Sequence, residues 1–144
     1  MSFTLAALAA AAVVASAPVA PGDGVAPVAP IVFFDIAGPD MARLRAFYSQ
    51  TFGWAIDGSG SIKGAAPGGL DGTLRQDPAQ VILYLGVPDV TAALANVTAH
   101  GGWVVQPRFE VPGVVVLGLC ADPAGNPLGL IEMKDGKPVI PPRR

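Results

Sequence analysis

Shifted by 49 residues, the chain reads onto itself: Phe33–Trp54 falls on Ile82–Trp103 without a gap, and Pro39/Pro88, Asp40/Asp89, Ala46/Ala95, Gly53/Gly102 and Trp54/Trp103 coincide. A chain that uses one pattern twice builds its core from two like units. Each copy runs from a short apolar stretch through Pro-Asp into a stretch of helical period, and then through Gly-Trp into extended segments. In the first copy Asp40 can cap the helix by accepting orphan N–H groups, and Met41, Leu44 and Tyr48 make the buried stripe, widened by Phe47 and Phe52. In the second, Asp89 takes the cap, Val90, Ala93, Leu94 and Val97 make the stripe, and Gly101-Gly102 ends it just past His100. Extended segments are expected at Ala55–Asp57, Ser61–Ala65 and Leu70–Arg75, and again at Val104–Pro107, Val114–Cys120 and Leu128–Met133.

These are two βαβββ modules, each with a sheet whose apolar face has no partner of its own. The fold class expected is α+β, with the modules packed about a pseudo-twofold axis so that one curved mixed sheet surrounds a cleft. The module region, residues 31–134, is one domain's worth of chain. Ahead of it, residues 1–17 are almost wholly apolar, and the 13-residue run Leu5–Ala17 is broken only by Ser16. A membrane span needs about 20 such residues, so no stable membrane anchor is expected. The length suits a secretory signal with cleavage after Ala15, ahead of Pro18, although no Lys or Arg precedes Arg43. Periplasmic or secreted location is the expectation, with a loosely docked helix of a cytoplasmic protein as the alternative. Residues 18–30 carry most of a repeated Ala-Pro-Val-Ala-Pro and read as an extended linker; residues 135–144 read as a flexible tail.

Composition narrows the function by exclusion. Nine Lys+Arg stand against eleven Asp+Glu, which gives no basic footprint for a phosphate backbone, so no nucleic-acid partner is expected. One cysteine, Cys120, and one histidine, His100, exclude a disulfide framework, a four-cysteine zinc site and a three-histidine cage. Gly58–Gly64 fits neither phosphate-loop pattern and reads as a hairpin, and Asn96-Val97-Thr98 is a glycosylation sequon placed on a helix.

Phe34-Asp35-Ile36-Ala37, Asp40, Arg43, Ala46-Phe47-Tyr48 and Phe52-Gly53-Trp54 resemble the first module of the vicinal oxygen chelate superfamily of glyoxalases, extradiol dioxygenases and bleomycin-resistance proteins. Val87-Pro88-Asp89-Val90, Ala92-Ala93-Leu94, Gly101-Gly102 and Asp122 through Glu132 resemble the second. The resemblance implies a divalent metal held by His or Gln on the first strand of each module and by a Glu on the last. Aligned by the Pro-Asp landmarks, those positions are Phe33, Ile82 and Gly129, none of which can bind a metal. Glu132, three residues beyond Gly129, turns to the opposite face by strand alternation. The chain therefore resembles the metal-less, glyoxalase-like branch, for which no metal and no cofactor are expected. The resemblance further implies a homodimer.

If Phe33 and Ile82 line the cleft, alternation places Asp35 and Tyr84 there too. Asp35 in an apolar cleft suits a general acid or base, or the partner of a cationic ligand; alternatively it bonds a nearby hydroxyl or amide and positions strands. Trp54 and Trp103 are expected to add aromatic walls. The candidate ligand-binding set is thus Phe33, Asp35, Trp54, Ile82, Tyr84, Trp103 and Gly129, with Asp35 as the candidate catalytic residue and a small organic molecule as the ligand. The competing function is a metal-independent isomerase, lyase or cyclase using Asp35. A third reading is an interaction module without a ligand. Cys120 is expected to be a buried small hydrophobe.

Overall fold

The computed structural model describes residues 27–144; the expected signal segment and the linker up to residue 26 lie outside the described residues. Strand β1 (Ile31–Gly38) leads into helix α1 (Met41–Phe52), followed by β2 (Ser61–Ala66) and β3 (Leu70–Gln76). The pattern then repeats: β4 (Gln80–Val87), α2 (Val90–Ala99), β5 (Trp103–Val111), β6 (Val115–Ala121) and β7 (Pro127–Lys134), with a two-residue β8 (Lys137–Pro138). All strands join one open mixed sheet in the order β2-β3-β1-β4-β7-β6-β5, with β8 beside β7. In each unit the first strand runs parallel to the last, β1 to β3 and β4 to β7, and the units meet through the antiparallel β1–β4 pair. That is the α+β architecture the repeat implies. The first unit departs at Ala55–Asp57, which shrinks to one bridge between Ile56 and Ile62. Asp57 draws the Ser59 and Ser61 N–H groups onto one carboxylate oxygen, each at 2.9 Å, and so spends this stretch on a tight turn.

The helices begin where the carboxylates stand. Asp40 accepts from the Arg43 N–H at 3.0 Å and Asp89 from the Ala92 N–H at 2.9 Å. The first ends on Gly53, whose φ of 70° is the left-handed turn that glycine adopts without strain. Both helices cover the same face of the sheet. Phe34 lies opposite Leu83, and Leu85 opposite Leu130, so their side chains share one side. There Phe34, Ile62 and Leu74 pack with Met41, Leu44 and Tyr48 of α1, while Val87, Cys120 and Leu130 pack with Val90 and Leu94 of α2. Cys120 is thus a core hydrophobe, and its burial pushes the thiol pKa up.

The repeat extends to the surface of this side. A cavity of about 380 Å³ lies between Pro27–Ala29 and α2, and one of about 340 Å³ lies against α1, with Pro88 and Asp89 lining the first where Pro39 and Asp40 line the second. The tail, expected to be loose, is tied back to the domain. The Val139 N–H donates to the Glu132 carbonyl and the Gly113 N–H to the Pro141 carbonyl, both at 2.8 Å, and Pro141 is buried. No helix of the described residues is long and apolar enough to cross a membrane.

Candidate functional site on the open face of the sheet

The face of the sheet opposite α1 and α2, left open by these two helices, carries the alternate residues of the same strands. Asp35 stands between Thr73 on β3 and Ile82 on β4, Phe33 stands opposite Tyr84, and Tyr84 stands beside Gly129 on β7. Five of the seven residues expected to form the site, Phe33, Asp35, Ile82, Tyr84 and Gly129, therefore come together at the central β1–β4 junction. Ile131 and Leu117, paired across β7 and β6, are apolar residues of the same face, and both are buried.

Two expected wall residues lie elsewhere. Trp54 follows the Gly53 turn back under α1, stacks on Tyr48 with ring centroids 4.9 Å apart and planes 10° apart, and contacts Phe34 on the helix side. Trp103 opens β5, the outermost strand, three strands from β4 and so about 14 Å away at the usual inter-strand spacing. It is 49% exposed, and its indole lies beside Gly125 in the loop between β6 and β7. Strand alternation placed the first-strand residues correctly; the position of a side chain that follows a turn depends on the turn.

Asp35 is only 5% exposed, and it is not alone. Arg75 on β3, a neighbour on the same face, points its Nε at both carboxylate oxygens, at 3.2 and 3.0 Å. The Arg75 Nη1 also pairs with Asp77. The Arg75 pKa is raised, first by the hydrogen bond to Asp35, and burial works against that rise. The expected partner of Asp35, a hydroxyl or an amide, is thus replaced by a guanidinium that the sequence reading missed. A buried carboxylate calls for a cation, and Arg75 is the cation on the last strand of its own module. The single Thr73 hydroxyl proton faces the Leu74 carbonyl at 3.3 Å and the Gly60 carbonyl at 3.5 Å, both long.

Tyr84 meets Phe33 edge to face, with centroids 5.7 Å apart and planes at 70°. Its pKa is raised, first by burial and then by the Asp35 charge, and the Arg75 charge works against that rise. Its ring lies over Gly129, where a Cβ would overlap Cδ1 and Cε1 and stand 2.9 Å from Cγ. Tyr84 can occupy that volume only because residue 129 has no side chain.

The donor set does not fit the metal that the resemblance implies. Phe33, Ile82 and Gly129 offer no ligand atom, Asp35 is engaged by Arg75, and among the described residues no three His, Cys, Asp or Glu gather into a group. His100 sits at the end of α2 with Nδ1 2.8 Å from the Asn96 carbonyl. Glu132 does turn away from Gly129, as alternation requires. It accepts from Arg108 Nε at 3.0 Å and Nη2 at 2.9 Å, and from the Val90 N–H at 3.2 Å, so one carboxylate ties β7 to β5 and to the start of α2. The Arg108 hydrogen bond is the main cause of its lowered pKa.

Residues 31–131 match the family described as the glyoxalase-like domain. Two curated relatives, each named Putative glyoxylase CFP32, from Mycobacterium bovis and Mycobacterium tuberculosis, are 27% identical over 115 residues, covering 67% of this chain and 42% of each relative. The chain thus spans about two fifths of the length of these relatives. Among solved structures, methylmalonyl-CoA epimerase in complex with methylmalonyl-CoA and NH4+ matches with a TM-score of 0.54 at 16% identity, over 78% of this chain and 100% of that one. A mutant of 4-hydroxymandelate synthase from Streptomyces coelicolor matches with a TM-score of 0.57 at 14% identity, over 83% of this chain and 41% of that one. At such identities the likeness is one of fold.

Proposed function

Because the chain belongs to the glyoxalase-like domain family, we propose that its open sheet face is a site for a small organic molecule and works without the divalent metal that the resemblance implies. The observation that carries this reading is the Asp35–Arg75 pair set among Phe33, Ile82 and Tyr84: a mostly apolar surface with one oriented polar group is the composition of a ligand site. The aligned metal positions, which hold no donors, support the second half of the proposal. In the competing function Asp35 is a general acid or base. Its engagement by Arg75 favours a recognition role, in which it orients a bound molecule, over one in which it gives and takes a proton.

A thermal-shift screen of small organic compounds in the presence of a chelator, with hits repeated on Asp35→Asn, tests the proposal. Hits that stabilise the wild type and weaken in the variant support it. A hit that is turned over by the wild type, and bound but not turned over by the variant, would establish the enzyme instead. Stabilisation that appears only when a divalent metal is restored overturns the metal-free reading.

A further inference from the structure

We propose that Tyr84, seated on Gly129, decides which molecules the open face accepts, and that it selects a flat ring carrying an N–H or O–H donor. The inference rests on the ligand-binding reading above and names the class of ligand.

Three features converge. Tyr84 and Gly129 are register partners on β4 and β7, and any side chain at 129 would collide with the tyrosine ring, so the glycine leaves the room in which that ring lies. Phe33 stands at 70° to it with centroids 5.7 Å apart, and the two half-buried rings form an aromatic corner beside the buried aliphatic side chains of Ile82, Ile131 and Leu117. A planar guest gains offset or edge contacts there that a saturated body of equal size does not. Next to the corner lies an acceptor with capacity left over. A carboxylate offers about four lone-pair sites. Among the described residues Asp35, 5% exposed, receives one N–H, that of Arg75 Nε, shared between its two oxygens. Thr73, its register neighbour, directs its hydroxyl to backbone carbonyls instead. A donor on the guest would add a second hydrogen bond to the carboxylate that Arg75 already holds, while a guest bearing only acceptors would face its charge.

The test uses three matched probes on the full chain: 2-naphthol, 2-methoxynaphthalene, which lacks the donor, and decahydro-2-naphthol, which lacks the flat ring. Titrations are followed by the NMR resonances of Phe33, Asp35 and Tyr84. The expected result is that 2-naphthol shifts these resonances and binds at least about threefold more tightly than either analogue. Tyr84→Phe should keep the preference for the flat ring and Tyr84→Leu should abolish it. Because the probe series is run first on the wild type, the outcome does not depend on how well a variant folds. Equal binding of all three probes at these resonances overturns the inference and leaves the ligand-binding reading standing. Silence at these resonances with every probe overturns the inference and counts against that reading as well.

Discussion

Replacing Gly129 with alanine adds one methyl group and should cost more than its size suggests. The new Cβ would overlap the Tyr84 ring and stand 2.9 Å from its Cγ. The ring has little freedom to yield, with Phe33 at its edge and the β4–β7 register holding its backbone. Forcing an extra carbon into such a contact costs about 1–3 kcal/mol. Alanine's stiffer unfolded chain returns about 0.4–1 kcal/mol of this. The net is a loss of about 1–2 kcal/mol, or roughly 4–8 °C in Tm for a domain of this size. Urea unfolding of the wild type, Gly129→Ala, Tyr84→Ala and the double variant forms a closed cycle. With the tyrosine ring gone only the unfolded-chain gain remains, so the alanine should stabilise by about 0.4–1 kcal/mol and the cycle should show a coupling of about 1–3 kcal/mol. A Gly129→Ala protein as stable as the wild type, or a penalty unchanged in the Tyr84→Ala background, would refute the placement of the ring and the site built on it.

Glu132 has a lowered pKa, chiefly through its hydrogen bond with Arg108, so its contribution is present above the ordinary value of 4.5 and is lost as pH falls through the lower folded value. Glu132→Gln should therefore be less stable than the wild type near neutrality, and the gap should close in acid, read as urea midpoints against pH. Arg75→Met leaves the buried Asp35 carboxylate without its cation and should cost about 1–3 kcal/mol, less than the roughly 3–5 kcal/mol of a fully buried broken pair because Arg75 itself is 32% exposed. Adding Asp35→Asn should restore part of that loss in the same denaturation assay. Tyr84 has a raised pKa, first through burial, so its share of stability is whole below the ordinary value of 10.0 and is lost as pH rises through the folded value. Ultraviolet titration should show a late-ionising tyrosine that Tyr84→Phe removes. Asp40→Ala, which deletes the α1 cap, should cost about 1 kcal/mol by thermal unfolding.

The repeat made most of the fold legible. Two Pro-Asp caps and two Gly-Trp exits, set 49 residues apart, gave both helices and their parent strands, and strand period carried Phe33, Asp35, Ile82 and Tyr84 to one face. What the sequence concealed was register and turn geometry. Arg75 meets Asp35 only because β3 runs parallel to β1 with Thr73 beside Asp35, and no spacing within either strand reports that alignment. Trp54 and Trp103 were carried toward the site by their place in the repeat. The left-handed turn at Gly53 sends the first onto Tyr48, and the outermost position of β5 keeps the second away. The tail reads as Pro- and Arg-rich and loose, yet backbone bonds from Val139 and Gly113 hold it, and such bonds leave no mark in composition. Gly129 was legible as a missing ligand; that its absent side chain makes room for Tyr84 follows from the β4–β7 register, which no spacing reports.

Native mass spectrometry of the protein purified from its own host tests the central claim most directly, because one spectrum reports metal, retained small molecules, subunit number and processing of the N-terminus. The expected species is metal-free and carries a small organic adduct that Asp35→Asn or Tyr84→Leu loses. A stoichiometric divalent metal on the wild-type chain would contradict the account and would require ligands other than the residues at Phe33, Ile82 and Gly129.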